Sequence, residues 1–201
     1  MMTSPTERDY TDEEIRSILK NGLGDSIVIS GGEPLLYKDD VIKLLKIADE
    51  LGLSSMINTN GSLPIELNEI LELGLLSAIS IDVKGPFNED YFDRFGINTS
   101  NVKRSISLVQ LYNIPFEARL TVCKDVPGYS EDDILRVAAY MQGVSCKFII
   151  QQFISSDGVL DKTLTKNNQP THDDLEAVAK IAALHLKMVY IRSDKGLERI
   201  K

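Results

Sequence analysis

Five stretches of the chain place polar side chains or glycines inside or directly behind apolar runs. Gly31, Gly32, Glu33 and Pro34 follow the run 26–30, and Asn58, Thr59, Asn60 and Gly61 close the run that begins at Ser54. Asp82 and Lys84 close the run from Ala78, Arg119 and Thr121 lie within 116–122, and Gln151 and Gln152 close the run from Lys147. Residues two apart in a strand share a face. Asp82 with Lys84, Asn58 with Asn60, and Arg119 with Thr121 are therefore each expected side by side. One carboxylate beside two cations suits a ligand that carries both an ammonium and a carboxylate group, as amino-acid-like molecules do. Asp82 would take the cation, and Lys84 and Arg119 the anion. A Lys and an Arg withdrawn from water are costly without a partner, so the set calls for one. The glycines serve the same ligand. Lacking Cβ, the main chain at Gly31 and Gly32 can approach it closely, while Pro34 fixes the exit of the loop and Glu33 braces it from inside.

Taken singly, each piece has an ordinary reading. Gly-Gly behind a strand and Asn60-Gly61 are turn formers, Asp82 and Lys84 make a structural ion pair, and Arg119 makes a rim salt bridge. A desolvated lysine can also form a Schiff base, so a barrel-like lyase built on Lys84 is an alternative. Cys123 and Cys146 read as structural thiols, His172 as a helix-start residue, and His185 as a packing or surface residue. The functional reading rests on the joint order of the polar groups at successive strand ends.

The elements that must position them follow from the hydrophobic pattern. Short β-rich runs at 26–30, 54–58, 78–83, 116–122, 147–153 and 187–192 alternate with amphipathic stretches at 38–51, 64–73, 102–112, 131–141 and 173–186. In the first of these, Val41, Leu44, Leu45 and Ala48 recur at helical spacing. Repeated strand–helix–strand units imply parallel strands joined by right-handed crossovers. The fold class is α/β, either a barrel-like or an open sheet, and in both the ligand site lies at the carboxyl ends of the strands. The polar segment 155–170 is the longest interruption, of a length that often covers a site.

Bulk properties narrow the function further. The chain has 201 residues, 43% apolar and 26% charged, which suits one domain spanning 1–201. A net charge of −8 disfavours nucleic acid and anionic membrane surfaces as partners. Two cysteines and two histidines build neither a disulfide framework nor a zinc site. The acidic N-terminus has no signal-peptide pattern, so a cytoplasmic location is expected.

With these residues on the page, the chain resembles the radical S-adenosylmethionine superfamily. It looks most similar to the glycyl-radical-enzyme activases of the anaerobic ribonucleotide reductase and pyruvate formate-lyase types. The pieces that carry the resemblance are VISGGEPLL at 28–36, NTNG at 58–61, SIDVKGP at 80–86, RLTVCKDVPGYSEDD at 119–133 and IIQQF at 149–153. The resemblance implies a partial (β/α)6 TIM-like barrel. It implies S-adenosylmethionine bound through Gly31, Gly32, Glu33 and Pro34 at its amino group. Asp82 and Lys84 would contact the cofactor, with a monovalent cation near Thr59 and Asp82, Asn58 and Thr59 beside it, and Asn60 among the cofactor-binding residues. Arg119 would serve the carboxylate side and Gln152 the adenosine side. Reductive cleavage would yield a 5′-deoxyadenosyl radical that takes hydrogen from a glycine of a partner glycyl-radical enzyme, with flavodoxin or ferredoxin as electron donor.

One part of the family pattern is missing. The family holds a [4Fe–4S] cluster on a Cys-x-x-x-Cys-x-x-Cys loop ahead of Gly-Gly-Glu-Pro, and here no cysteine precedes Cys123. Thiolates are the normal ligands of such clusters. Three readings stand: an N-terminally incomplete chain that also lacks the first barrel strand, a cluster-less relative that binds S-adenosylmethionine or acts as a scaffold, or a separate polypeptide that supplies the loop. Catalysis by this chain alone is not expected. Loss of a first strand would leave 26–30 as an exposed apolar edge and favour self-association through it.

Overall fold

The computed structural model describes residues 10–88, 90–156 and 161–201. In chain order it contains α1 (Asp12–Asn21), β1 (Ser26–Ile29), α2 (Lys38–Glu50), β2 (Ser54–Thr59), α3 (Pro64–Glu72), β3 (Ala78–Asp82), α4 (Asp90–Phe95), α5 (Thr99–Leu111), β4 (Phe116–Val122), α6 (Glu131–Met141), β5 (Lys147–Gln152), α7 (His172–Ala182), β6 (Val189–Ser193) and β7 (Gly196–Arg199). Short 3₁₀ turns occupy Pro34–Tyr37 and Lys166–Asn168. The seven strands form one sheet in sequence order. β1 to β6 run parallel, and β7 returns antiparallel to β6. The sheet is curled into a half-barrel, as the resemblance implied.

The helices cover one face of this sheet. β4 shows how: Phe116, Ala118, Leu120 and Val122 are buried, while Glu117, Arg119 and Thr121 between them are only partly so. The buried set joins the main hydrophobic core with Ile57, Ile79, Ile81, Phe148, Ile150, Val189 and Ile191 from the other strands and with Leu45, Leu67, Val109, Ile134 and Leu175 from the helices. Side chains alternate along a strand, so the other face, the concave one, keeps the polar residues.

Helix starts are written in local chemistry. Ser130 with Asp133 and Thr171 with Asp174 form capping boxes for α6 and α7, and Pro64 sits in the first turn of α3. α5 begins at Thr99, earlier than the apolar spacing predicts, because the Asn98 side chain accepts from Ser100 N. α7 ends at Ala182, short of residue 186, where the chain turns toward Val189, the first core residue of β6.

Three elements lie outside the sequence expectation. α1 buries no residue and is held to α2 by charge, Arg16 to Glu50 at 2.8 Å and Lys43 to Asp12 at 2.7 Å. α4 is six residues long, too short for periodicity to show. β7 is exposed along its whole length and has no alternation; it forms because β6 offers it an edge. Of the segment 155–170, residues 157–160 lie outside the described residues. Its later part is tied to the end of β4 by Lys124 N donating to Asn168 O at 2.8 Å and Asn168 Nδ2 donating to Lys124 O at 3.0 Å.

Leu45 is fully buried where α2 meets the sheet. Leu45→Ala is expected to lower unfolding free energy by about 3–5 kcal/mol, measured as a fall in the urea midpoint at unchanged m-value.

Candidate cofactor site at the strand ends

The parallel register lines up the concave-face residues across strands. Asn58 pairs with Ser80, Asp82 with Arg119, Thr121 with Gln151, and Gln151 with Arg192. The polar residues singled out by type therefore converge on the carboxyl rim, in two connected groups.

The first group is built on Glu33. Its carboxylate is nearly buried, at 9% exposure. Its Oε1 accepts from Thr59 Oγ1 at 2.7 Å and from Leu35 N at 3.2 Å, and its Oε2 accepts from Asn60 N at 2.7 Å. Glu33 thus sews the loop behind β1 to the end of β2, the bracing role expected of it. Thr59 Oγ1 accepts in turn from Gly61 N at 3.1 Å, and Asn60 Oδ1 from Ser62 N at 2.8 Å. Gly61 has φ +72°, and a Cβ there would meet Ile81 Cγ2 at 3.0 Å, so both conformation and space call for glycine. α5 closes the turn from behind: Ser105 Oγ donates to Gly61 O at 2.8 Å and Asn101 Nδ2 to Ser62 O at 2.9 Å. Sequence reasoning missed Ser105 and Asn101, since nothing local marks a helix serine as a turn's partner.

The second group is ionic. Arg119 Nη2 lies 3.2 Å from Asp82 Oδ1, and Lys84 Nζ lies 4.0 Å from Asp82 Oδ2. Two buried polar atoms here have no partner among the described residues: Arg119 Nε on β4, and Asn58 Oδ1 two strands over on β2. Ser80 Oγ, between those strands, is likewise unsatisfied. Beside them opens a cleft of about 560 Å³ whose polar wall is Asp82, Lys84, Arg94, Arg119, Thr121 and Asp161, with the Cys123 thiol, and whose apolar wall is Val83, Phe95, Val126, Tyr129, Phe153 and Leu164. Lower on the same face, Arg192 Nη2 faces Glu117 Oε2 at 3.6 Å. The spacing of Glu117 two residues before Arg119 was the legible signal for that pair.

Two expected residues do not join. Gln152 pairs in register with Val122 on the helix side. Both ends of its amide are used, Nε2 donating to Pro170 O at 2.8 Å and Oε1 accepting from Asp194 N at 3.0 Å. Gln151 takes the concave face instead. Thr59 pairs in register with the core residue Ile81, so its side chain, bonded to Glu33 and Gly61, lies on the helix side and not on the concave face with Asp82. No group of three or more His, Cys, Asp or Glu suited to a metal occurs among the described residues.

The remaining candidates take ordinary places. Cys123 follows β4 and Cys146 precedes β5, so they sit at opposite ends of the sheet, about 20 Å apart by strand rise. Burial pushes both thiols up, Cys146 to about 12. His172 is the first residue of α7, with Nε2 at 3.4 Å from Glu198 Oε2, and His185 lines a shallow cleft at the opposite end of the sheet with Cys146.

Glu33→Ala leaves the Thr59 hydroxyl and the Asn60 amide without an acceptor. It is expected to cost about 2–4 kcal/mol of stability, read from chemical denaturation, whereas Glu33→Gln, which keeps one carbonyl oxygen, is expected to recover part of that loss.

Comparison with known proteins agrees with this geometry. A protein of Methanocaldococcus jannaschii, named as a candidate glycyl-radical enzyme activating enzyme, is 33% identical over 197 residues, covering 94% of this chain and 80% of its own. The 7-carboxy-7-deazaguanine synthase of Methanothermobacter thermautotrophicus is 33% identical over 137 residues, covering 61% of this chain and 53% of its own. In fold, a domain of the pyruvate-formate lyase-activating enzyme of Bacteroides vulgatus superposes with TM-score 0.68 at 16% identity, over 85% of this chain and all of that domain. A radical SAM methyltransferase of Sphaerobacter thermophilus superposes with TM-score 0.72 at 13% identity, over 94% of this chain and 60% of its own. Residues 2–141 match the Radical SAM superfamily, and the chain belongs to that family.

Proposed function

We propose that this chain is the S-adenosylmethionine-binding part of an activating enzyme whose partner is a glycyl-radical enzyme. The observation that carries the reading is the pair of buried, unpartnered polar atoms, Asn58 Oδ1 and Arg119 Nε, on the rim that holds Asp82 and Lys84. Buried polar atoms are normally hydrogen-bonded, and the α-amino and α-carboxylate groups of S-adenosylmethionine answer this acceptor and this donor. The main chain at Gly31 and Gly32 is open to a ligand, since a Cβ built on either meets nothing within 4 Å. In this reading Gly31, Gly32 and Pro34 shape the amino-group side, held by Glu33. Asn58, Asp82, Lys84 and Arg119 orient the amino-acid end, and Asn60 borders it. What S-adenosylmethionine supplies when bound is a sulfonium whose carbon–sulfur bond breaks on one-electron reduction.

The residues present do not fit a [4Fe–4S] cluster. Both cysteines are buried, with thiols raised by burial, and they lie at opposite ends of the sheet. No reductive step is therefore assigned to this chain's own residues, and an electron donor such as flavodoxin or ferredoxin belongs wherever a cluster is held. The glycyl-radical partner is supported by the methanogen relative, whose similarity runs over 94% of this chain. The lack of paired thiolates also favours a second reading, a cluster-less protein that binds S-adenosylmethionine as a sensor or scaffold. The proposed setting is the cytoplasm; among the described residues no helix is long and apolar enough to cross a membrane.

Calorimetry is expected to show S-adenosylmethionine binding that weakens at least about tenfold in Asp82→Ala and in Arg119→Ala, the loss typical of a charged hydrogen-bond partner. Absence of binding would overturn the cofactor assignment. After anaerobic reconstitution with iron and sulfide, this chain is expected to release no 5′-deoxyadenosine, and measurable release would overturn the statement about the cluster. Stable binding of a glycyl-radical enzyme separates the activase from the scaffold reading.

The edge strand adds a proposal about assembly. Among the described strands β1 pairs only with β2, and Val28 on it is 58% exposed. An unprotected apolar edge is a template for further pairing. Sedimentation velocity is expected to show concentration-dependent association that Val28→Lys abolishes; a clean monomer at high concentration would contradict it.

A further inference from the structure

Lys84 stands just past the end of β3. The last ladder bond is made one residue earlier, where Val83 N donates to Arg119 O at 2.7 Å. Beyond it, the Lys84 peptide groups have no strand partner, and buried peptide groups must find one. Two phenols supply it from two different elements. Lys84 N donates to the Tyr91 hydroxyl at 3.1 Å, and the Tyr129 hydroxyl donates to Lys84 O at 3.4 Å. Tyr91 lies on α4, and Tyr129 lies in the loop between β4 and α6.

The two elements are fastened to each other and to the core. Arg94 donates to Pro127 O and stacks on the Phe95 ring at 4.8 Å. Tyr91 is 1% exposed and packs between Phe87 at 5.6 Å and Phe95 at 4.9 Å between ring centroids. Burial pushes both phenols up to about 12, so each keeps its proton near neutral pH and Tyr129 remains a donor. α4 and the Tyr129 loop thus form a clamp on one residue of the rim.

We propose that Tyr91 and Tyr129 are positioning residues for Lys84, fixing its peptide groups so that its ammonium is aimed over the rim beside Asp82 at the amino-acid end of the bound cofactor. This rests on the S-adenosylmethionine reading above. Tyr91 lies outside the cleft lining and acts only through Lys84, whereas the Tyr129 ring also forms part of the cleft wall and its hydroxyl acts through Lys84.

The test compares two ligands by calorimetry: S-adenosylmethionine, and 5′-methylthioadenosine, which keeps the adenosine and the methylated sulfur, now a neutral thioether, but lacks the amino-acid end. Tyr91→Phe and Tyr129→Phe are each expected to weaken S-adenosylmethionine about three- to tenfold, the worth of one neutral hydrogen bond, and Tyr91→Phe, at a residue outside the cleft lining, is expected to leave 5′-methylthioadenosine unchanged. In a Lys84→Met background the same substitutions are expected to cause no further loss, as in a double-mutant cycle between coupled residues. A ligand-free readout accompanies these: Tyr91→Phe removes the acceptor of the Lys84 amide, whose hydrogen exchange is expected to quicken. Equal loss of both ligands in Tyr91→Phe, a loss in either variant that persists with Met at position 84, or unchanged amide exchange in Tyr91→Phe would overturn the proposal. If the unaltered chain binds no S-adenosylmethionine, the cofactor reading itself falls and this assignment falls with it, a result recognisable before any variant is made.

Discussion

Glu33 is a carboxylate nearly removed from water, and its placement decides the geometry of the first half of the rim. A buried charge of this kind is tolerated only where its oxygens are answered, and three donors from two chain segments answer it: the Thr59 hydroxyl and the amides of Leu35 and Asn60. These bonds fix where the loop behind β1 ends and where β2 stops. They leave the two glycines before Glu33 facing open space. The Asn60–Ser62 turn is then completed from α5. A single carboxylate thereby couples a loop, a strand end, a turn and a helix two units further along the chain.

The sheet imposes the second constraint. With the helices on one face, each concave-facing side chain is spared the core and can be polar. Successive strands in parallel register then bring such side chains level with one another. Asp82 and Arg119 are 37 positions apart in sequence, yet they are register partners with side chains 3.2 Å apart. The pairing leaves Arg119 Nε unsatisfied, and a neighbouring strand leaves Asn58 Oδ1 in the same condition. A rim with a spare donor and a spare acceptor, both out of water, is held ready for a zwitterionic group in a way that a self-satisfied ion pair is not.

Much of this was legible in the residues. Alternation of short apolar runs with amphipathic stretches marked six parallel strands, and polar residues at their ends marked the rim. Period-two spacing put Asp82 beside Lys84, and the register of β3 with β4 brought Arg119 to them. Spacing did not decide between Gln151 and Gln152, which are adjacent and chemically identical. Only the pairing of Gln151 with Thr121 and Gln152 with Val122 assigns their faces. α4 and β7 were illegible for opposite reasons: one is too short to show a period, and the other exists only because β6 has an edge to offer.

By itself the amino-acid sequence determined the strand–helix alternation, the Gly-Gly-Glu-Pro loop, the polar strand ends and the lack of a three-cysteine loop ahead of Gly31. All of these are written in residue type and local spacing. The tertiary structure alone decided which polar atoms are already spent and which remain free. It spent Thr59 on Glu33 and Gln152 on Pro170 and Asp194, left Asn58 and Arg119 with unanswered atoms, and set Lys84 between Tyr91 and Tyr129. The reason is that hydrogen-bond satisfaction is a property of neighbours in space, and these neighbours lie up to 45 positions apart along the chain.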